Sequence, residues 1–84
     1  MRDHFGRLVI DEYIIRQRDY SLMGKIFDMF TEISVEYDKR RNAFIYYGYS
    51  DEFDTLEHHE NIPDYIFIEN EYGEVSFLRV NREV

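Results

Sequence analysis

Residues 33–50 read ISVEYDKRRNAFIYYGYS, and they fix the class of the fold. Ile33, Val35 and Tyr37 alternate with Ser34, Glu36 and Asp38, the period-two pattern of a strand with one apolar face. Asp38-Lys39-Arg40-Arg41-Asn42 is a polar turn. Ala43, Phe44, Ile45, Tyr46, Tyr47 and Tyr49 then return as a second strand rich in aromatic residues, which fit a pleated surface. The segment is therefore expected to be a β-hairpin.

A second hairpin is expected at 65–80. Tyr65-Ile66-Phe67-Ile68 leads into Glu69-Asn70-Glu71-Tyr72-Gly73, and Val75-Ser76-Phe77-Leu78-Arg79-Val80 returns. Gly73 can take the left-handed backbone conformation that a short loop demands. Outside the hairpins the period changes. Leu22, Met23, Ile26, Phe27, Met29, Phe30 and Ile33 recur at helical spacing, so a helix is expected over 21–32, with Ser21 or Asp19 as its cap. Gly24 lies inside it at a cost of about 1 kcal/mol relative to Ala, which suggests a close backbone contact. Leu8, Val9, Ile10, Tyr13, Ile14 and Ile15 suit a helix over 7–18 or two short buried strands. No turn residue divides the two clusters, which favours the helix. A short helix is expected at 51–60, capped by Ser50 or Asp51, with Asp51, Glu52 and Asp54 in its first turn and His58 and His59 near its end. Asn61 and Pro63 terminate it.

These elements combine into an α+β fold: a single compact domain over 1–84, with the two hairpins forming a four-stranded antiparallel sheet and the helices packed on one face. The expected core is Ile26, Phe30, Val35, Ile45, Ile66, Ile68, Val75 and Phe77. At 84 residues the chain buries roughly 60–65% of its unfolded surface, so the core must be rich. It has the means, with 44% hydrophobic residues, eight Tyr and seven Phe. That content excludes intrinsic disorder despite the charge.

No cysteine is present, which removes disulfides, thiolate metal sites and a cysteine nucleophile. A small secreted domain usually needs such cross-links, so a cytoplasmic location is expected, the host cytoplasm if a phage encodes the chain. Leu8-Val9-Ile10 is too short for the apolar region of a signal peptide, and no run approaches the ~20 apolar residues of a membrane span.

Charge is the strongest pointer to function. The formal net charge is −8, and it is unevenly placed. Residues 1–41 hold eight acids and eight bases. Residues 42–78 hold nine acids and no Lys or Arg: Asp51, Glu52, Asp54, Glu57, Glu60, Asp64, Glu69, Glu71 and Glu74. Such a field repels nucleic acid and anionic membrane and attracts basic proteins. Lys39-Arg40-Arg41 is the only basic run, too small for a phosphate-binding face on an acidic protein, and reads as a solvated turn.

Signs of catalysis are missing. No glycine loop cradles phosphate, and there is neither a Gly-x-Ser-x-Gly elbow nor a His-Glu-x-x-His pair. His58 and His59, flanked by Glu57 and Glu60, are the nearest thing to a metal cluster. Adjacent helical residues diverge by about 100° and do not converge on one ion. No enzyme activity, cofactor or metal is therefore expected.

The expected function is a small acidic protein-binding inhibitor, a nucleic-acid mimic that occupies the basic nucleic-acid-binding surface of a partner enzyme. Phage-encoded anti-CRISPR, anti-restriction and glycosylase-inhibitor proteins act in this general way; the analogy is one of charge and size. Its partner-binding residues would be Asp51, Glu52, Asp54, Glu57, Glu69, Glu71 and Glu74, with Tyr46, Tyr47, Tyr49 and Tyr72 as aromatic anchors. Two other readings use the same residues: an immunity or antitoxin-type binder of a cationic toxin, and a homodimeric interaction module built on the tyrosine strand.

Overall fold

The computed structural model describes residues 4–57 and 60–80. It is a small α+β fold with a mixed sheet of five strands and two helices. The elements are β1 (Phe5–Asp11), α1 (Glu12–Arg16), α2 (Tyr20–Asp28), β2 (Thr31–Asp38), β3 (Ala43–Tyr49), β4 (Asp64–Glu69) and β5 (Val75–Val80). No described helix is long and apolar enough to cross a membrane.

Both expected hairpins form. β2 pairs antiparallel with β3, and β4 with β5. They are not neighbours, however. The order is β2-β3-β1-β4-β5, with β1 inserted between them, antiparallel to β3 and parallel to β4. This corrects both the four-stranded antiparallel sheet and the helix expected at 7–18. Residues 5–11 alternate: Gly6, Leu8 and Ile10 are buried on the helix side, while Phe5, Arg7 and Val9 point to the other face. The missing turn signal is Asp11. Its carboxylate accepts a hydrogen bond from the Tyr13 amide at 2.8 Å and starts the one-turn helix α1, where Glu12 and Arg16 form an i,i+4 ion pair.

Asp19 caps α2 by accepting from the Leu22 amide at 3.0 Å. The helix is shorter than the spacing predicts, ending at Asp28, because Thr31 already pairs with Tyr49. Gly24 makes no close backbone contact: a Cβ there would meet nothing within 4 Å. Gly73 does fulfil its expected role in the β4–β5 turn, with φ +79°.

The core lies between α2 and the helix side of the sheet. Leu8, Ile10, Ile26, Phe30, Phe53 and Tyr65 are buried together there, with Phe77 and Val75 packed against them. Ile26, Phe30 and Ile45 are buried as expected. Val35, Ile66 and Ile68 are not, at 46%, 36% and 46% exposed. Val35 sits on the edge strand β2, next to an irregularity between Glu32 and Ser34. In β4 the alternation takes the opposite phase: Tyr65 and Phe67 face the core, so Ile66 and Ile68 turn outward with their cross-strand neighbour Leu78.

Candidate functional site

The sheet has two ends, and the predicted acids divide between them; Asp51, Glu52, Asp54 and Glu57 lie at one. β2 begins and β3 finishes there, with Thr31 opposite Tyr49. A strap of residues 50–63 leaves from this end and returns to β4. The described part of 51–60 is not the expected helix. One turn closes at its start, where the Phe53 amide donates to the Ser50 carbonyl at 3.0 Å and the Glu52 amide to Ser50 Oγ at 3.1 Å. The strap then leaves helical geometry because two anchors pull it onto the core. Phe53 stacks on Tyr65 with ring centroids 3.9 Å apart and planes 8° from parallel. The Asp54 amide donates to the Tyr65 hydroxyl at 2.8 Å. His4 Nδ1 lies 2.8 Å from the Phe53 carbonyl oxygen and adds a third tie.

With its backbone so held, the strap presents Asp51, Glu52, Asp54 and Glu57 at the surface. Glu57 and Glu60 close a further turn: the Glu60 amide donates to the Glu57 carbonyl and the Glu57 amide to Glu60 Oε1, both at 2.9 Å. Arg79 reaches back from β5 to Asp54 at 3.2 Å and Glu60 at 3.4 Å. These acceptors, Asp54 foremost, raise the Arg79 pKa further above its ordinary value. Burial raises the Tyr65 phenol as well, so it stays a neutral hydrogen-bonding group at physiological pH.

The fold adds two carboxylates that the sequence reading missed. Asp28 ends α2 and Glu32 lies opposite Gly48, so both arrive at the same end of the sheet as Asp51 and Glu52. Helix end and edge strand, contiguous at 28–32, thus arrive at the same end as the strap, from two separate parts of the chain. The only sequence signal was their acidity.

The other predicted acids lie elsewhere. β4 begins at Asp64, beside Arg7, and runs parallel to β1 toward the opposite end of the sheet. Glu69, Glu71, Glu74 and Tyr72 cluster at the β4–β5 turn, roughly 20 Å from the strap end at about 3.3 Å per strand residue. This tip is partly neutralised. Lys25 Nζ lies 3.9 Å from Glu69 and donates to the Gly73 carbonyl at 2.8 Å. The tip also holds a shallow groove lined by Ile68, Glu69, Asn70, Glu74, Val75 and Ser76.

The tyrosines separate too. Tyr46 faces the helix side, edge-on to Phe27 at 5.1 Å, and burial raises its phenol pKa, with Glu32 adding to the rise. Tyr47 and Tyr49 face the opposite side. The Tyr47 hydroxyl donates to Glu36 at 2.9 Å, and Tyr49 packs on Phe5 at 5.1 Å. Tyr72 is 80% exposed at the far tip. The anchor set therefore splits across two faces and one turn.

Lys39-Arg40-Arg41 forms the β2–β3 turn. Asp38 accepts from the Arg40 amide at 2.9 Å, and the Arg41 guanidinium lies 3.3 Å from Asp38 and 3.8 Å from Asp64. Arg41 is thus tied into the protein's own acids. Among the described residues no group of three or more His, Asp or Glu side chains is placed to hold a metal ion. His58 and His59 lie outside the described residues. Comparison with family profiles, curated proteins and solved structures finds no match.

Proposed function

We propose that this protein is an acidic protein-binding inhibitor that sets the strap end of its sheet into the basic, nucleic-acid-binding surface of a partner enzyme. One observation supports it most. Carboxylates from α2, β2 and the strap gather at one end, and the strap, which presents Asp51, Glu52, Asp54 and Glu57 at the surface, is fixed by the Phe53–Tyr65 stack and the Asp54–Tyr65 hydrogen bond. A preorganised row of acids stands in for phosphates at little entropic cost, whereas acids on a mobile loop would have to be ordered on binding. The cluster repels itself in the free protein, and a cationic partner relieves that repulsion. The function needs no chemistry from the chain, only charge in a fixed arrangement.

Affinity capture from a lysate at about 50 mM and about 500 mM salt, bracketing the screening range, identifies the partner. The expected partner is a basic nucleic-acid-handling enzyme lost at the higher salt. Competition is decisive: saturating DNA or RNA should displace the protein. Binding that ignores nucleic acid overturns the mimicry, and capture of a cationic toxin that binds no nucleic acid favours the immunity-type reading.

A further inference from the structure

The two edges of the sheet are built differently. β2 is blocked as a pairing surface: it carries Glu32, Glu36 and Asp38, and its ladder is broken between Glu32 and Ser34. Charges and bulges are the usual means by which an edge strand is kept from pairing with another chain. β5 has neither. Its six residues, Val-Ser-Phe-Leu-Arg-Val, carry one charge, no proline and no lysine, and its ladder to β4 is regular from Val75 to Val80. No described strand lies beyond it.

The turn shows which backbone groups face that free edge. The Asn70 amide donates to the Glu74 carbonyl at 3.0 Å, so Asn70 and Glu74 are a hydrogen-bonded pair. Bonded and non-bonded pairs alternate along an antiparallel ladder. Ser76, Leu78 and Val80 therefore bond to β4, while the N–H and C=O groups of Val75, Phe77 and Arg79 point outward.

We propose that β5 is the seam of a homodimer, in which two copies pair β5 with β5 antiparallel about a two-fold axis through Phe77. Three features fit a second copy. The pairs Val75–Arg79, Phe77–Phe77 and Arg79–Val75 use every outward group of the strand, and the two-fold keeps each face of the sheet on its own side. The charge along the hairpin is polar, with Glu69, Glu71 and Glu74 at the turn and Arg79 at the other end. Antiparallel pairing sets each Arg79, whose guanidinium already holds Asp54 and Glu60 of its own strap, at the end of the strand nearer the other copy's acidic turn, whereas parallel pairing would set acidic turn beside acidic turn. Finally, Ile66, Ile68, Leu78 and Val80 form an exposed apolar band on the face away from α2, and the seam joins the two bands into one.

A seam of one short strand buries less than the ~1,200–2,000 Å² of a standard interface, so the dimer is weak and forms at high concentration. The seam touches the acidic strap only through Arg79, which holds Asp54 and Glu60, and leaves Asp51 and Glu52 free of it, so a monomer would leave the proposed inhibition untouched.

Sedimentation equilibrium of the full chain from roughly 10 μM to 1 mM, the range in which so small an interface associates, tests the seam. The mass should rise from 10.4 kDa toward twice that value. Val75→Pro removes an outward N–H that the monomer does not use, so it should keep the circular dichroism spectrum and stay at the monomer mass. Amide exchange on the unaltered chain gives a second readout. The Phe77 and Arg79 amides should gain protection with concentration, while Ser76 and Leu78 are protected throughout and the β2 edge does not change. A constant monomer mass, a Val75→Pro protein that dimerises equally, or Phe77 exchange that ignores concentration overturns the proposal. So does a monomer whose β5 edge instead takes up an extended foreign peptide.

Discussion

The rings of Phe53 and Tyr65 lie parallel at 3.9 Å, and the same Tyr65 accepts a hydrogen bond through its hydroxyl from the next backbone amide, Asp54. One tyrosine thus fastens the strap twice, once by its face and once by its tip. Phe53→Ala should cost about 3–5 kcal/mol, the loss expected for a buried aromatic. Tyr65→Phe keeps the stack and should cost only about 1–2 kcal/mol for the lost bond and the bare Asp54 amide. Melting curves measure both. Equal losses would show that the stack contributes nothing beyond the hydroxyl.

Two glycines should respond with opposite sign. A Cβ at Gly48 would run into the Thr31 carbonyl oxygen and the Phe30 ring, where the chain enters β2 alongside β3. Gly48→Ala should destabilise by about 1–3 kcal/mol through overpacking. Gly24 is exposed on α2 with nothing near it, so Gly24→Ala should stabilise by about 1 kcal/mol through helix propensity alone. Denaturant midpoints report both.

Acid and alkali should each remove one small contribution. The Tyr37 hydroxyl donates to Glu12 at 2.5 Å. That bond, helped by Arg16, holds the Glu12 carboxyl below its ordinary 4.5, and it raises the Tyr37 phenol above its ordinary 10.0. A depressed carboxyl stabilises the fold above its unfolded pKa and loses that effect as pH falls through the folded value. A raised phenol stabilises below its unfolded pKa and loses that effect as pH rises through the folded value. The stability difference between the wild type and Tyr37→Phe should therefore form a plateau from pH 4.5 to 10.0 and shrink at both ends. Unfolding curves across that range check it. A difference that does not vary with pH would show that the hydroxyl's bond to Glu12 does not carry the effect.

Charge reversal should separate the acidic end from the far turn. Asp51 and Glu52 are exposed, and no ion pair among the described residues engages them, whereas Asp54 is held by Arg79. Asp51→Lys with Glu52→Lys should slow association with the partner by tenfold or more at low salt and by much less at high salt, as rim charges do. Tyr72→Ala, roughly 20 Å away by strand length, should leave the rate unchanged unless the partner spans the whole sheet. Stopped-flow association rates distinguish the cases. A rate that ignores Asp51 and Glu52 removes the acidic end from the interface.

The sequence by itself determined what local patterns encode. Period two at 33–38 and 43–49 specified one hairpin, and Gly73 between two apolar runs specified the other. Helical spacing specified α2 and narrowed its cap to Ser21 or Asp19, of which the structure uses Asp19. Composition specified the lopsided charge.

Only the tertiary structure decided where those pieces went. Phe5–Asp11 is a strand because its edges are taken by β3 and β4, whose paired residues lie about forty and fifty-seven positions away along the chain. No local period records such partners. In β4 both phases of the alternation are apolar, so packing on Phe53 and Phe77, rather than hydropathy, turned Tyr65 and Phe67 inward and left Ile66 and Ile68 outside. Residues 51–57 carry the caps and acids of a helix start, yet the gain from burying Phe53 and satisfying Asp54 on Tyr65 exceeds that of another helical turn. Charge could be counted along the chain, but its division into two ends, and its gathering with Asp28 and Glu32, followed from strand order. Strand order is set by which buried faces match in space, a property of the whole chain that no window of it contains.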